Sequence, residues 1–270
     1  MNFIAHNLAD LRQAITEANL RPDEAHEIIL KGTDQDYVVT DFSEYLFGWN
    51  AFPIIRSSIT IIGGYRVISL ESGLIGRFFV INAKDNGHPS ASLTLKRVIL
   101  TGGNSGDFGG GAIANDGRLE LIECGLARNA GSLGGAVYNG DNCDCSAIDS
   151  MFQENRASIE ATSIYGSQNS SLVLRRSQVY DGIDVVSIAT SSTQRGRPQL
   201  VTDACMIGGN IRINIFAQDF TLRVAEVDDP PTIPIAFSQP AHNLMLQHKL
   251  LSPQGRLIYP VTYPQKAQWS

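Results

Sequence analysis

A chain of 270 residues with 43% hydrophobic and 18% charged side chains can bury a substantial core in one or two domains and is too apolar to be disordered. Its formal net charge is −6, with 25 glycines and no run of lysine or arginine, which excludes a nucleic-acid phosphate track and argues against a helical bundle. The longest apolar runs, such as Phe78-Phe79-Val80-Ile81, are strand-sized and far short of the ~18 residues of a membrane span.

Met1-Asn2-Phe3-Ile4 lacks a basic start, and His6, Asn7 and Asp10 break the apolar stretch, so no signal peptide is expected here. Residues 7–20 read as a short amphipathic helix, with Asn7 as its cap and Leu8, Leu11, Ile15 and Ala18 on one face. Pro22 ends it, and Glu27-Ile28-Ile29-Leu30 begins the strands. Residues 1–30 are therefore expected to cap the open end of a β-stack, which would otherwise expose unpaired edge groups. Residues 28–92 read as irregular early coils, with strand patterns at 37–40, 58–63, 67–70 and 78–82.

A repeat then takes over. Gly110-Gly111-Ala112-Ile113-Ala114-Asn115 returns as Gly134-Gly135-Ala136-Val137-Tyr138-Asn139, then as Thr162-Ser163-Ile164-Tyr165-Gly166 and Ser187-Ile188-Ala189-Thr190. Between these copies runs a second element, starting at Leu93, Leu119, Cys145, Leu172 and Leu200. Each copy alternates apolar and polar residues, the pattern of a strand with one buried face. Such a unit cannot close a core alone, whereas stacked copies bury their inward columns continuously. One column holds Leu95, Leu121, Ala147 and Leu174; another holds Leu100, Leu126, Phe152, Val179 and Ile207; a small one holds Val98, Cys124, Ser150, Ser177 and Cys205. The Gly-Gly pairs suit tight corners. Asn115, Asn129, Asn139 and Asn155 suit turns, where their amides can stack.

The pattern predicts an all-β, right-handed single-stranded parallel β-helix with a short N-terminal capping helix and an irregular C-terminal cap or arm. A flat β-sandwich is the competing reading, and the even repeat argues against it. The coils are expected over residues 31–209. Residues 210–270 are expected to hold terminal strands, at 211–216 and 220–224, and a Pro-rich segment with seven of the chain's eleven prolines. That segment reads as a cap running down the outside. It reads otherwise as an arm gripping a neighbouring subunit through Tyr259, Tyr263 and Trp269, which would make a homo-oligomer or larger assembly.

In register, Arg97, Glu123, Asp149 and Arg176 form an outward ladder. Glu123 and Asp149 would then stand near the ~5–5.5 Å carboxyl separation of a retaining glycosidase. Read otherwise, each carboxylate has an arginine one coil away, giving exposed ion pairs worth ~0–1 kcal/mol. Asp141, Asp144 and Asp149 around Cys143 and Cys145 are candidates for Ca²⁺, and local turn chemistry explains them equally. No other cofactor is expected. Cys143-x-Cys145 is too short for a relaxed disulfide and too sparse for zinc, and Cys124 and Cys205 lie three coils apart in one column, so no bridge between them is expected. The histidines, at 6, 26, 88, 242 and 248, have no ligand spacing.

Gly-Gly-Ala-Ile at 110–113, Gly-Gly-Ala-Val at 134–137 and Phe-Gln-Glu-Asn at 152–155 resemble the GGA[ILV] and FxxN tetrapeptides of polymorphic outer-membrane-protein passengers. Leu11-Arg12-Gln13-Ala14-Ile15-Thr16-Glu17-Ala18-Asn19 is similar to the LREAI-x-EAN stretch of secreted β-helix proteins named for a CSLREA motif, and Ser57-Ser58-Ile59-Thr60-Ile61-Ile62-Gly63 is similar to the segment downstream of it there. The CSL triplet itself is replaced by Asn7-Leu8-Ala9-Asp10, and the Pro-rich end does not have the pattern of a membrane barrel. The resemblance spans residues 8–180 and implies an extracellular or cell-surface protein. The function expected is a non-catalytic β-helix scaffold, a surface adhesion, binding or assembly module for a protein or glycan. The alternative is a carbohydrate-active enzyme, a polysaccharide lyase or glycoside hydrolase with its site on the outer face.

Overall fold

The computed structural model describes residues 1–83, 91–187, 199–203, 205–207, 211–215 and 221–224. These residues are mostly β, in parallel sheets, with one α-helix, Leu8–Asn19, and one short 3-10 turn, Asp34–Tyr37. Among them no helix is long and apolar enough to cross a membrane.

The largest sheet is built by the repeat. Leu93 pairs with Leu119, Leu119 with Cys145, Cys145 with Leu172 and Leu172 with Leu200, steps of 26, 26, 27 and 28 residues in parallel register. The second half of each repeat continues the same sheet, with Leu100 on Leu126, Leu126 on Phe152, Phe152 on Val179 and Val179 on Ile207. A further parallel sheet joins Phe79–Asn82, Ile113–Asp116, Val137–Asn139, Ile164–Gly166, Ile183–Ser187 and Ile211–Ile215 in that order. Each repeat thus lays one rung on each ladder, and the inward columns Leu95–Leu121–Ala147–Leu174 and Leu100–Leu126–Phe152–Val179 are fully buried. No rung has a buried face until its neighbour covers it, so the apolar columns hold the stack together.

The small column is hydrogen-bonded as well as packed. The Cys124 N–H donates to Ser150 Oγ at 3.1 Å, and the Ser150 N–H to Ser177 Oγ at 3.2 Å. The asparagines form buried ladders: Asn115 Nδ2 donates to Asn139 Oδ1 at 2.7 Å, and Asn129 Nδ2 to Asn155 Oδ1 at 3.1 Å. At the Gly-Gly corner, Gly134 has a left-handed φ of 66°, and a Cβ on Gly135 would lie 2.3 Å from the Thr162 carbonyl oxygen. The first glycine is required by conformation and the second by close approach.

Two elements depart from the sequence reading. The first 30 residues hold one strand more than their sequence pattern shows. Strand Asn2–Ala5 precedes the helix and pairs in parallel with Ala25–Leu30, extending the large sheet by one rung. Its short, mixed sequence hides the strand, and the pairing supplies what the local pattern lacks. In the other sheet Ile164 pairs with Ile183, 19 residues on, not with Ile188 as the Ser187 copy of the repeat suggests. The connection is shorter there, and Ile183, which is fully buried, takes the inward place. Residues 188–190, His88, His242, His248 and the segment bearing Tyr259, Tyr263 and Trp269 lie outside the described residues.

Candidate functional site

Arg97, Glu123, Asp149 and Arg176 stand on successive rungs, and all four have left-handed backbone, with φ of 53°, 54°, 50° and 46°. Tyr65, with φ of 68°, occupies the rung before Arg97. The ladder is therefore the bend at which each rung turns from its first strand to its second. That conformation is sparsely populated by residues other than glycine; at it Arg97 and Arg176 are exposed, Glu123 and Asp149 part-buried and Tyr65 buried. Arg176 grips Asp149 with two hydrogen bonds, Nε to Oδ1 and Nη2 to Oδ2, both 2.7 Å. Those bonds raise the Arg176 pKa further above its ordinary value. Glu123 accepts a hydrogen bond from the Tyr65 hydroxyl, two rungs away. Arg97 is exposed and has no ion pair among the described residues. A second ladder runs beside the first, where Arg128 Nε meets Glu154 Oε2 at 2.7 Å.

The three aspartates suggested for Ca²⁺ are held separately. Asp141 accepts from Ser167 Oγ and from the Gln168 N–H, Asp144 pairs loosely with Arg118 at 3.6 Å, and Asp149 belongs to Arg176. No group of three or more acidic, histidine or cysteine side chains gathers among the described residues. The four cysteines are free thiols, and burial pushes Cys124 and Cys145 up to about 12.

Among the described residues, one carboxylate has a raised pKa. Asp181 stands at the end of the Asn129–Asn155 ladder, where its Oδ2 accepts from the Asn155 N–H at 2.9 Å and from Ser163 Oγ at 3.2 Å. Burial is the main cause of the upward shift, the hydrogen bonds oppose it, and the charge of Glu154 adds to it.

The feature that sequence reasoning missed lies before the regular repeat. Strands Glu44–Tyr45 and Trp49–Asn50 make an antiparallel hairpin. Along it the side chains alternate: Asp41, Ser43, Tyr45, Phe47 and Trp49 are exposed, while Phe42, Leu46 and Asn50 face inward. Tyr45, Phe47 and Trp49 are 60%, 56% and 50% exposed, and Phe108 beside them 37%. Trp49 meets Tyr45 edge-on at 5.1 Å and stacks on Phe42 at 6.1 Å.

Polar groups beneath pin this hairpin. Asn50 Nδ2, fully buried, faces the carbonyls of Glu44, Leu46 and Gly48 at 3.3, 3.3 and 3.1 Å. Arg12, on the helix, donates to the Ala51 and Asp41 carbonyls at 2.9 and 2.8 Å and pairs with the Asp41 carboxylate. Asn19, at the other end of the helix, donates to the Ile54 carbonyl at 2.7 Å and accepts from the Arg56 N–H at 2.8 Å. Arg77, fully buried, donates to the carbonyls of Phe47 and Gly109, and desolvation lowers its pKa to about 10. Its Nε has no partner.

No protein-family model, no curated protein and no solved structure matches the chain.

The aromatic surface does not end at the hairpin. Phe108 lies over Gly48, close enough that a Cβ there would sit 3.0 Å from the ring. Next to it, Tyr138 closes on Gly109, where a Cβ would be 2.6 Å from Tyr138 Cδ2. Tyr138 stacks on Tyr165 one rung further, centroids 5.5 Å apart and planes within 10°. Rings therefore succeed one another from Trp49 and Tyr45 through Phe47 and Phe108 to Tyr138 and Tyr165. Aromatic rings offer large apolar area at little entropic cost.

Proposed function

We propose that the chain is a right-handed, single-stranded parallel β-helix that serves as a non-catalytic scaffold, a surface adhesion, binding or assembly module. The evenly stepped parallel ladders, the corner glycines and the asparagine ladders support the β-helix. The likeness to polymorphic outer-membrane-protein passengers and CSLREA-type proteins, and with it an extracellular or cell-surface setting, is part of the same proposal.

The observation that carries the binding reading is the pinned hairpin. Three aromatic side chains are held out into solvent while a buried arginine and a buried asparagine are committed to the hairpin's backbone and Arg12 of the helix to its flanks. Hydrophobic burial alone would turn those rings inward. The charged ladder fits the same reading. Asp149 has both oxygens on Arg176 and Glu123 is engaged by Tyr65, which leaves neither as a free acid or base.

The alternative of a polysaccharide lyase or hydrolase draws on Glu123 and Asp149 standing on adjacent rungs. The full chain incubated with neutral and acidic polysaccharides, with new reducing ends and unsaturated uronate absorbance monitored over a day, separates the two. The scaffold reading expects neither signal above the blank. A cleavage activity abolished by Asp149→Asn in a folded protein would replace it with the enzyme.

A further inference from the structure

We infer that the aromatic track from Trp49 to Tyr165 is the site at which this scaffold binds its ligand, and that the ligand is an uncharged polysaccharide chain of pyranose rings. The inference rests on the binding reading above and adds a location and a chemical class.

The length of the track comes from the ladder. The Arg77 N–H donates to the Trp49 carbonyl, that of Phe78 to Ala112, that of Ala112 to Ala136 and that of Ala136 to Ser163, at 2.9 to 3.0 Å. Trp49 and Tyr165 thus stand on the first and last of five rungs, roughly 19 Å apart at the ~4.8 Å spacing of sheet strands. That is the reach of an extended oligomer, not of a single small molecule.

The chemistry of the surface selects the class. The rings are tryptophan, tyrosine and phenylalanine: Tyr45, Phe47 and Trp49 are half-exposed, Phe108 somewhat less, and Tyr138 and Tyr165 partly buried. Their electron-rich faces attract the positively polarised C–H groups of a pyranose, and the exposed Tyr45 hydroxyl can serve its hydroxyl groups. Polar neighbours able to accept from sugar hydroxyls stand beside them: Ser43 and Asp41 are exposed on the same hairpin face, and Asp107 adjoins Phe108. Asp107, on a chain of net charge −6, disfavours uronate polymers and anionic membrane surfaces, whereas the Asp41 charge is offset by Arg12. The hairpin is also preorganised. Arg77 and Asn50 hold its carbonyls before any ligand arrives, so binding does not have to order the loop.

The test is affinity electrophoresis of the full chain through gels containing hydroxyethylcellulose, laminarin, xyloglucan, galactomannan or polygalacturonate. Trp49→Ala and Tyr138→Ala, at two separated places on the track, are run beside the wild type, and melting temperatures are measured for all three. Retention is expected in at least one neutral gel, unchanged by added salt and weakened about tenfold or more by each substitution, the scale of losing one aromatic stack. Should Trp49→Ala unfold, Tyr138→Ala, on the regular ladder, carries the test alone. No retention in any neutral gel, retention indifferent to the folded variants, or retention by polygalacturonate alone would overturn the inference. Cleavage of a retained polysaccharide would instead sink the non-catalytic reading and leave the track standing. Absence of both retention and cleavage would sink the track and leave the scaffold.

Discussion

The buried Arg77 guanidinium donates a hydrogen bond to the main-chain carbonyl of Phe47, an exposed aromatic residue with a left-handed φ of 50°. A residue with a Cβ is strained there by about 1–2 kcal/mol, and glycine would be the unstrained choice. Strain, an exposed ring and a desolvated cation at one place fit the contact surface proposed above. Phe47→Gly is therefore expected to change stability by no more than about 1 kcal/mol, because relief of strain offsets the floppier unfolded chain. Polysaccharide retention should nevertheless fall. A large loss of stability, read from urea unfolding, would show that the ring is structural.

Arg77→Met removes the pin. Two carbonyls, of Phe47 and Gly109, lose their charged donor, at a cost of about 2–4 kcal/mol. Limited proteolysis should then cut between residues 43 and 49 before anywhere on the ladders. An unchanged melting temperature and cleavage pattern would mean that Arg77 does not hold the loop.

Leu121 sits in the middle of a column, paired with Leu95 and Ala147, and is fully buried. Leu121→Ala should cost about 3 kcal/mol, since small neighbours on one side leave a cavity that the rigid ladder closes poorly. Asp149→Asn should cost ~1 kcal/mol or less, because it removes a part-exposed ion pair and asparagine tolerates the left-handed bend. Chemical denaturation of the two variants side by side should separate them clearly; equal losses would mean that the columns do not carry the stability.

Asp181 gives the stability a pH signature. Its folded pKa is raised by burial, so the folded state binds its proton more readily than the unfolded chain does. That contribution is present at low pH and is lost as pH rises through the folded pKa, which lies above the ordinary carboxylate value. Asp181→Asn makes the uncharged form permanent and keeps an acceptor for the Asn155 N–H. It should raise the melting temperature more at pH 7 than at pH 4. A variant less stable than wild type at pH 7 would show that the hydrogen bonds outweigh desolvation.

The repeat was legible because its signal is redundant. Leu119, Cys145, Leu172 and Leu200 fall into one buried column whichever rung is read first, and the Gly134 corner and Asn129–Asn155 ladder repeat the same phase. The Asp149–Arg176 pair also came from register alone. The neighbouring Glu123–Arg97 pair did not form, because Tyr65, hidden beside the Gly63-Gly64 bulge, reaches Glu123 from two rungs away. The hairpin was opaque for a different reason. Tyr45, Phe47 and Trp49 alternate with Phe42, Leu46 and Asn50, so both faces look apolar and no binary pattern marks which one is solvated. A tyrosine, phenylalanine and tryptophan spaced two apart was the available clue. Arg77, a single cation before Phe78-Phe79, carries no pattern at all; only the fold brings it under Phe47 from thirty residues away.

The parallel register places Tyr138 on Tyr165 and Glu123 beside Asp149, so both the proposed binding track and the ladder depend on it. Engineered disulfides test it directly. Thr94 and Glu120 are register partners on adjacent rungs with outward side chains, at a Cα spacing of ~4.8 Å that suits a disulfide. Lys96 pairs with Ile122 instead, two positions out of register with Glu120 and beyond the ~7 Å limit. In a background with the four native cysteines replaced by alanine or serine, Thr94→Cys with Glu120→Cys should oxidise to a linked species that mass analysis detects, with the fold retained. Lys96→Cys with Glu120→Cys should not. Linkage of the second pair but not the first would contradict the register and the rung order built on it.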